Sequence, residues 1–196
     1  IINCHVHLMT EKVLPPTWPH PVLTWMGRHK ATRWIATNIV PWLDPLRDDD
    51  LLERYANFLR HGTMQDQKET FERLKRCYND TTKFVVLPMD LRALDPENEP
   101  AQGIYEQHKK LAELAAKPST QARIIPFVHI DPRLSNDIDD REDAEDAATF
   151  IKNLHEDGLD GIQFKGIKLY PPLGYHPEDE SLKSIWKYAN VNSLPV

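Results

Sequence analysis

The 196-residue sequence predicts an α/β fold built from parallel strands. Short apolar segments rich in Val and Ile recur along the chain, and amphipathic helical segments separate them at intervals of roughly thirty to forty residues. Ionisable side chains stand where the apolar segments end. A strand that is followed by a helix and a second strand is the unit that joins parallel strands, so this alternation predicts parallel neighbours.

The first predicted strand is the opening segment IINCHVHLMT. Successive side chains of a strand point to opposite faces, so His5 and His7 share one face and lie about 7 Å apart along the backbone. The other face is apolar and consists of Ile2, Cys4, Val6 and Leu8. Two imidazoles on one face can hold a metal ion or line a polar pocket. Cys4 is expected to point away from them, as a small buried hydrophobe rather than a nucleophile.

A long insertion is predicted over residues 10–62. Its first part is dense in Pro and Trp, which blocks long helices and leaves aromatic rings that need packing partners. Acidic residues at 48–50 predict a short helix that ends near Gly62. The insertion leaves the end of the first strand, so it is either a wall or lid beside the site or a plain surface insertion.

Regular alternation follows the insertion. Helical spacing and stop signals such as Pro118 and Gly158 predict helices over residues 63–79, 103–117, 139–156 and 181–189. Apolar segments predict strands over 83–89, 123–130 and 164–170, and residues 194–196 begin a fifth strand. We therefore expect one domain over 1–196, comprising the insertion at 10–62 and strands 2–4 with their helices and the start of strand 5 at 63–196. The sequence stops at that fifth strand, which predicts the N-terminal half of a longer barrel.

A (β/α)8 barrel explains the polar residues better than a doubly wound sheet does. Barrel enzymes place their chemistry at the C-terminal ends of the strands. The ionisable and aromatic residues at the predicted strand ends are His5, His7, Asp90, His129, Asp131, Lys168 and Tyr170. A doubly wound nucleotide-binding sheet would carry a glycine-rich loop after an early strand, whereas this chain has seven glycines and no GxGxxG pattern.

The composition and the net charge limit the classes of molecule that the protein is expected to bind. A net charge of -6 without a Lys/Arg cluster argues against nucleic acid and an anionic membrane surface, so a small molecule is expected. The sequence has neither an apolar run that spans a bilayer nor a signal-peptide pattern, which predicts a cytoplasmic protein. Two cysteines imply no disulfide framework. The exposed strand edges of a half barrel favour self-association, so a homo-oligomer is one expected form of the protein.

Three segments together carry a family resemblance: the HxH first strand, FVHIDPR, and FKGIKLYPPLGYHPED. With these, the chain resembles the amidohydrolase superfamily of metal-dependent (β/α)8 barrels, in the branch similar to aminocarboxymuconate-semialdehyde decarboxylase. The resemblance implies a hydrolase of a small amide, lactone or ester, with or without a carboxylate. It implies a divalent metal, zinc or manganese. The alternatives are a mononuclear decarboxylase of the same superfamily and an inactive barrel fragment that serves in packing or interaction.

The resemblance also implies roles for single residues. His5 and His7 match the paired strand 1 metal ligands. Lys168 stands near the place of the carboxylated lysine that bridges two metals in binuclear members, although the decarboxylase-like branch lacks it. The alternatives for Lys168 are a cation that holds a substrate carboxylate and an ion-paired barrel lysine. Further ligands, two histidines and an aspartate that serves as general base, are expected beyond residue 196, so no catalytic residue is assigned here.

Two further residues are candidates for substrate contact. Arg133 follows the third predicted strand and can bind a carboxylate with two parallel hydrogen bonds, or it can be a capping or surface arginine. Alternation places Tyr170 on the same face as Lys168. His129 has opposite parity to Val128 and Ile130, and the sequence leaves open which set faces the pocket. A phosphoesterase that opens with HxH would continue with Ser, Asp and Gly, which LMTEKVLPP does not supply.

Overall fold

The structure is a computed structural model that describes residues 1–17, 64, 66–133 and 147–196. Its strands are β1 Ile2–Val6, β2 Lys83–Val86, β3 Ile124–Pro126, β4 Val128–His129 and β5 Ile167–Lys168. Its α-helices are α1 Gln67–Lys75, α2 Ile104–Ala116, α3 Ala147–Glu156 and α4 Lys183–Val191. Short 3-10 helices cover Glu11–Val13, Arg92–Leu94, Pro171–Leu173 and Glu180–Leu182. The predicted helix at 48–62 lies outside the described residues.

All the strand pairs in the described residues are parallel. β1 pairs with β2, β2 pairs with β3, and β4 pairs with β5, so neighbours in space are also neighbours along the chain. The described residues thus contain the parallel strands and helices of the predicted α/β class. They do not show a closed barrel, which stays a prediction.

The predicted third strand is divided at Phe127 into β3 and β4. Its backbone amides nevertheless donate hydrogen bonds to segments on both sides of it. The Phe127 amide donates to Val86 O at 3.1 Å, and the next amide, that of Val128, donates to Gly166 O at 2.9 Å. The segment therefore connects β2 to β5 as a central strand does.

Residues 194–196 lie beside β5. The Ile167 amide donates to Pro195 O at 2.9 Å, on the segment where the sequence predicts the start of another strand. No strand is assigned at 194–196, but the hydrogen bond places this segment next in order after β5. The arrangement agrees with continued parallel addition.

The helix boundaries follow local capping. α2 begins and ends within one residue of the prediction, because Gly103 caps its start and Pro118 follows its end. α1 begins later than predicted, because the Asp66 side chain accepts from the Lys68 amide at 2.9 Å and fixes the N-terminus there. α4 is shifted along the chain, since Asp179 caps the 3-10 helix before it.

The core lies between the strands and the helices that cover them. The Phe71 ring of α1 meets Phe84 of β2 edge to face, with centroids 5.5 Å apart, and both are fully buried. Leu111, Ile151 and Ile185 bring one fully buried side chain from each of the other helices. Each such side chain contributes about 1.5–3 kcal/mol relative to its exposed state.

The chain segments at the two ends of the predicted insertion lie close together. Thr10, Val13 and Leu14 are buried, and the Glu11 amide donates to Met64 O at 3.0 Å. The two ends of the predicted excursion are therefore in contact. Its remainder, residues 18–63, lies outside the described residues, so its role as a lid stays a prediction.

A buried histidine pair joins α2 to β4. His108 Nε2 accepts the backbone N–H of His129 at 3.0 Å, and the His108 ring lies between Phe150 and Phe164, at centroid distances of 5.6 and 5.4 Å. Burial lowers the pKa of His108 to about 3. The ring is therefore a neutral acceptor in the folded protein at neutral pH.

No helix in the described ranges is both long enough and apolar enough to cross a membrane.

Candidate metal centre

A β-bulge in β1 shapes the candidate site. Asn3 pairs with Phe84, but Val6 pairs with Val86, so β1 uses three residue steps where β2 uses two. The extra residue reverses the alternation of side chains. The Asn3 side chain supports the bulge, because its Oδ1 accepts from the His5 amide at 3.1 Å and its Nδ2 donates to the Tyr78 hydroxyl at 3.0 Å.

The bulge overturns the prediction for Cys4. The regular alternation predicted a buried side chain on the face opposite the histidines, whereas Cys4 is exposed and lines the same cleft as His5. Ile2 is also exposed, at 59%. Val6 and Leu8, which follow the bulge, are buried as predicted. The period-two pattern therefore holds only on the C-terminal side of the bulge.

The two histidines predicted as metal ligands lie within hydrogen-bond distance of each other. His5 Nε2 and His7 Nε2 lie 3.0 Å apart, and their ring planes are nearly perpendicular at 85°. His7 Nδ1 lies 2.8 Å from the carbonyl oxygen of Leu87. A carbonyl only accepts, so Nδ1 carries the proton and Nε2 of neutral His7 keeps its lone pair.

The surroundings of His7 favour its neutral form. Burial is the main cause that lowers its pKa, and it outweighs the hydrogen bond to Leu87 O, which favours the charged ring. The charges of His5 and Lys168 lower the pKa further. A neutral imidazole is the form that binds a metal ion.

Lys168 joins the same site from β5. It pairs in register with His129, lines the cleft with His5, and lies with Nζ 4.8 Å from the centre of the Tyr170 ring. No carboxylate of the described residues forms an ion pair with it. Burial lowers its pKa. The structure thus brings Lys168 and Tyr170 together and places Lys168 on the same cleft as His5.

Arg133 is engaged elsewhere. Its Nε and Nη2 donate to the two oxygens of buried Asp131 at 3.0 and 2.6 Å, and its guanidinium lies 5.5 Å from the Tyr175 ring centre. The hydrogen bond to Asp131 is the main cause that raises the pKa of Arg133. Its contact with a substrate stays a prediction, and in this structure it anchors the end of β4.

A second pair of aspartate and arginine side chains follows β2. Asp90 accepts from the backbone amide of Arg92 at 3.1 Å and from its guanidinium at 2.9–3.2 Å. Asp131 likewise accepts from the Arg133 amide at 3.0 Å, as an aspartate in a turn does. Both aspartates are buried and have arginine partners two residues on. Each Asp-x-Arg segment neutralises a carboxylate at a strand end.

The register settles the side on which His129 lies. Paired residues of parallel strands point the same way, so His129 shares the face of Lys168. Its ring is fully buried, and neither ring nitrogen has a hydrogen-bond partner in the described part of the chain. Burial lowers its pKa to about 4 against the opposing charges of Asp90 and Asp131.

A complete set of metal ligands is not found among the described residues. Within residues 1–17, 64, 66–133 and 147–196, no group of three or more His, Cys, Asp or Glu side chains is arranged to hold a metal ion. A catalytic zinc site usually has three protein ligands. Two histidines are fewer ligands than such a centre uses, and their role as metal ligands stays a prediction.

Comparison of the chain with protein-family models, curated proteins and solved structures finds no match.

Proposed function

We propose that this chain belongs to a metal-dependent hydrolase of small molecules, with His5 and His7 as two ligands of a divalent metal, zinc or manganese. The observation that carries the proposal is the 3.0 Å approach of the two Nε2 atoms. Two ligands that each lie ~2.1 Å from zinc at a tetrahedral angle are about 3.4 Å apart. The pair therefore needs to open by only a few tenths of an ångström to hold an ion.

The hydrogen bond from His7 to Leu87 O supports the same proposal. Metal-ligating histidines commonly donate their other ring N–H to a carbonyl or carboxylate, which fixes the tautomer and the direction of the lone pair. His7 Nδ1 makes such a bond at 2.8 Å. This bond keeps the lone pair of His7 on Nε2, the atom that would bind the ion.

A divalent metal at this pair would polarise a substrate carbonyl and lower the pKa of a bound water to about 7. The chain itself contributes the rest of the environment. His5 and His7 hold the ion, the bulge sets the position of His5, and the adjoining cleft receives the substrate. Hydrolysis of an amide, lactone or ester is the activity that such a site supports best.

Elemental analysis tests the metal site directly. The wild-type chain, a His5→Ala/His7→Ala double variant and a His176→Ala control are purified without chelator and loaded with zinc; His176 is exposed. We expect bound zinc in the wild type and the control, and its loss in the double variant. Equal metal content in the wild type and the double variant, or none in the wild type, overturns the proposal.

The reaction is tested separately from the metal. A metal-loaded preparation is incubated with candidate amides, lactones and esters in 18O-labelled water, and the products are analysed by mass spectrometry. Hydrolysis places one 18O atom in the acid product. Release of CO2 from a carboxylated substrate without incorporation of 18O would replace hydrolysis by decarboxylation.

A further inference from the structure

The cleft beside His5 is mostly apolar, and among the described residues that line it Lys168 is the cationic one. It encloses about 400 Å3, within the range of small-molecule sites. Leu87, Phe127, Leu169 and Trp186 contribute walls, and Lys168 contributes the ammonium. This composition suits a ligand that is apolar over most of its surface and charged at one end.

Within the described ranges, no carboxylate forms an ion pair with the half-buried ammonium of Lys168. The charged residues nearby are already used, because Asp90 pairs with Arg92 and Asp131 pairs with Arg133. In the described part of the chain, the ammonium contacts the face of the Tyr170 ring. A partly desolvated cation gains most from an anion that enters the cleft with the ligand.

The backbone around Phe127 also shapes this cleft. A Cβ added at Gly166 would lie 2.4 Å from the Phe127 ring, so only glycine lets that ring pack across β5. Phe127 has the same parity as His129, whose register partner is Lys168. The aromatic wall and the ammonium thus stand on one face of neighbouring strands, as they must to contact one ligand.

We propose that Lys168, in its ammonium form, binds the carboxylate of a small organic acid whose apolar part lies against Phe127, Leu169 and Trp186. This inference rests on the proposed function in one respect, since it makes that acid the substrate or product held beside His5. A carboxylate is favoured over a phosphate because the described lining of the cleft offers a single cation, whereas phosphate sites usually combine several donors.

The proposal separates two states of Lys168 that differ in charge. A carboxylated lysine is anionic and would attract a second metal ion. An ammonium repels metal and attracts a carboxylate. Incubation with 13C-labelled bicarbonate distinguishes them, because a carbamate gives a 13C NMR signal that is lost in Lys168→Met. Such a signal would overturn the ammonium assignment.

The binding test uses 3-phenylpropionate as the charged probe and 3-phenylpropionamide as its neutral match. Binding is measured in the presence of chelator by calorimetry and by protection of Cys4 from alkylation. Cys4 lines the cleft, and a Cys77→Ser background removes the second exposed thiol. Lys165→Met is the matched control, since Lys165 is exposed and its Nζ donates to Gln163 at 2.8 Å.

We expect the wild type to prefer the acid over the amide, and Lys168→Met to weaken acid binding by about tenfold to hundredfold, the range of a charge-assisted hydrogen bond. Binding of the amide should be unchanged in Lys168→Met, which also shows that the cleft is still folded. Lys165→Met should bind both probes as the wild type does. Equal affinity for the two probes, no binding of either, or the same loss in both lysine variants would overturn the proposal.

The outcome is independent of the metal experiment. Acid binding is measured without metal, so it can persist when the zinc analysis shows no site at His5 and His7. In that case the proposed hydrolase fails and the carboxylate site stands. If Lys168→Met does not weaken acid binding while zinc still binds to His5 and His7, the carboxylate site fails and the proposed metal site stands.

Discussion

Acidification should destabilise the protein through the buried histidine pair, and His108 offers the sharpest test. Its ring is fully buried, accepts the His129 N–H, and has a pKa lowered to about 3 by burial. In the unfolded chain a histidine titrates near 6.5. We consider the change from pH 8 to pH 5 in the wild type and in a His108→Gln variant, whose side-chain oxygen can accept the same N–H.

The direction of the pKa shift of His108 determines whether acid stabilises or destabilises the folded protein. The unfolded chain takes up a proton at His108 below about pH 6.5, whereas the folded protein does not until the pH approaches 3, so stability present above pH 6.5 is lost as the pH falls. At pH 5 the loss is about 1.5 pH units times 1.4 kcal/mol, or about 2 kcal/mol. Because pH 5 lies well above the folded pKa, this figure depends mainly on the unfolded value.

Urea unfolding at the two pH values measures the effect. The glutamine variant is less stable than the wild type at pH 8, because it loses the aromatic packing against Phe150 and Phe164. At pH 5 the difference between the two proteins should shrink by about 2 kcal/mol, since the variant has no His108 to protonate. A difference that is the same at both pH values would refute the reasoning. His176→Gln makes the same substitution at an exposed position and is the matched control.

Three further predictions concern local structure. Asn3→Ala removes the acceptor for the His5 amide, so zinc affinity measured by competition with a chelator should fall by about tenfold, whereas Asn3→Asp, which keeps that oxygen, should lose less. Gly166→Ala should cost about 1–3 kcal/mol in urea unfolding and much less in a Phe127→Ala background; equal costs would contradict the predicted clash. Asp66→Ala should cost about 1 kcal/mol through loss of the cap on α1, and Asp66→Asn should restore most of it.

The sequence predicted features that depend on neighbours along the chain. α2 was located within a residue at each end because Gly103 and Pro118 mark its limits. The alternation of strands and helices predicted parallel neighbours, which the described residues show. The facing of His5 and His7 followed from their spacing alone, and their ring nitrogens do approach each other.

Features that depend on pairing between distant segments could not be predicted in this way. A period-two pattern assumes an unbroken ladder, so it placed Cys4 on the wrong face. The bulge depends on how β1 meets β2 and on the Asn3 bond to Tyr78, which join residues far apart in the chain. The side on which His129 lies was equally undetermined, because both neighbouring residues are apolar and the register with Lys168 decides it.

The lengths of the connections between consecutive strands affect when the histidine pair forms during folding. The connection from β1 to β2 is roughly twice as long as that from β2 to β3, so closing it costs about 0.6 kcal/mol more in chain entropy. On this ground we expect contacts among the later strands and helices to form before β1 docks onto β2. Interactions made after the folding barrier affect mainly the unfolding rate. An ion held by His5 and His7 would accordingly act as a late clamp, which prolongs the lifetime of the native state without guiding the chain toward it.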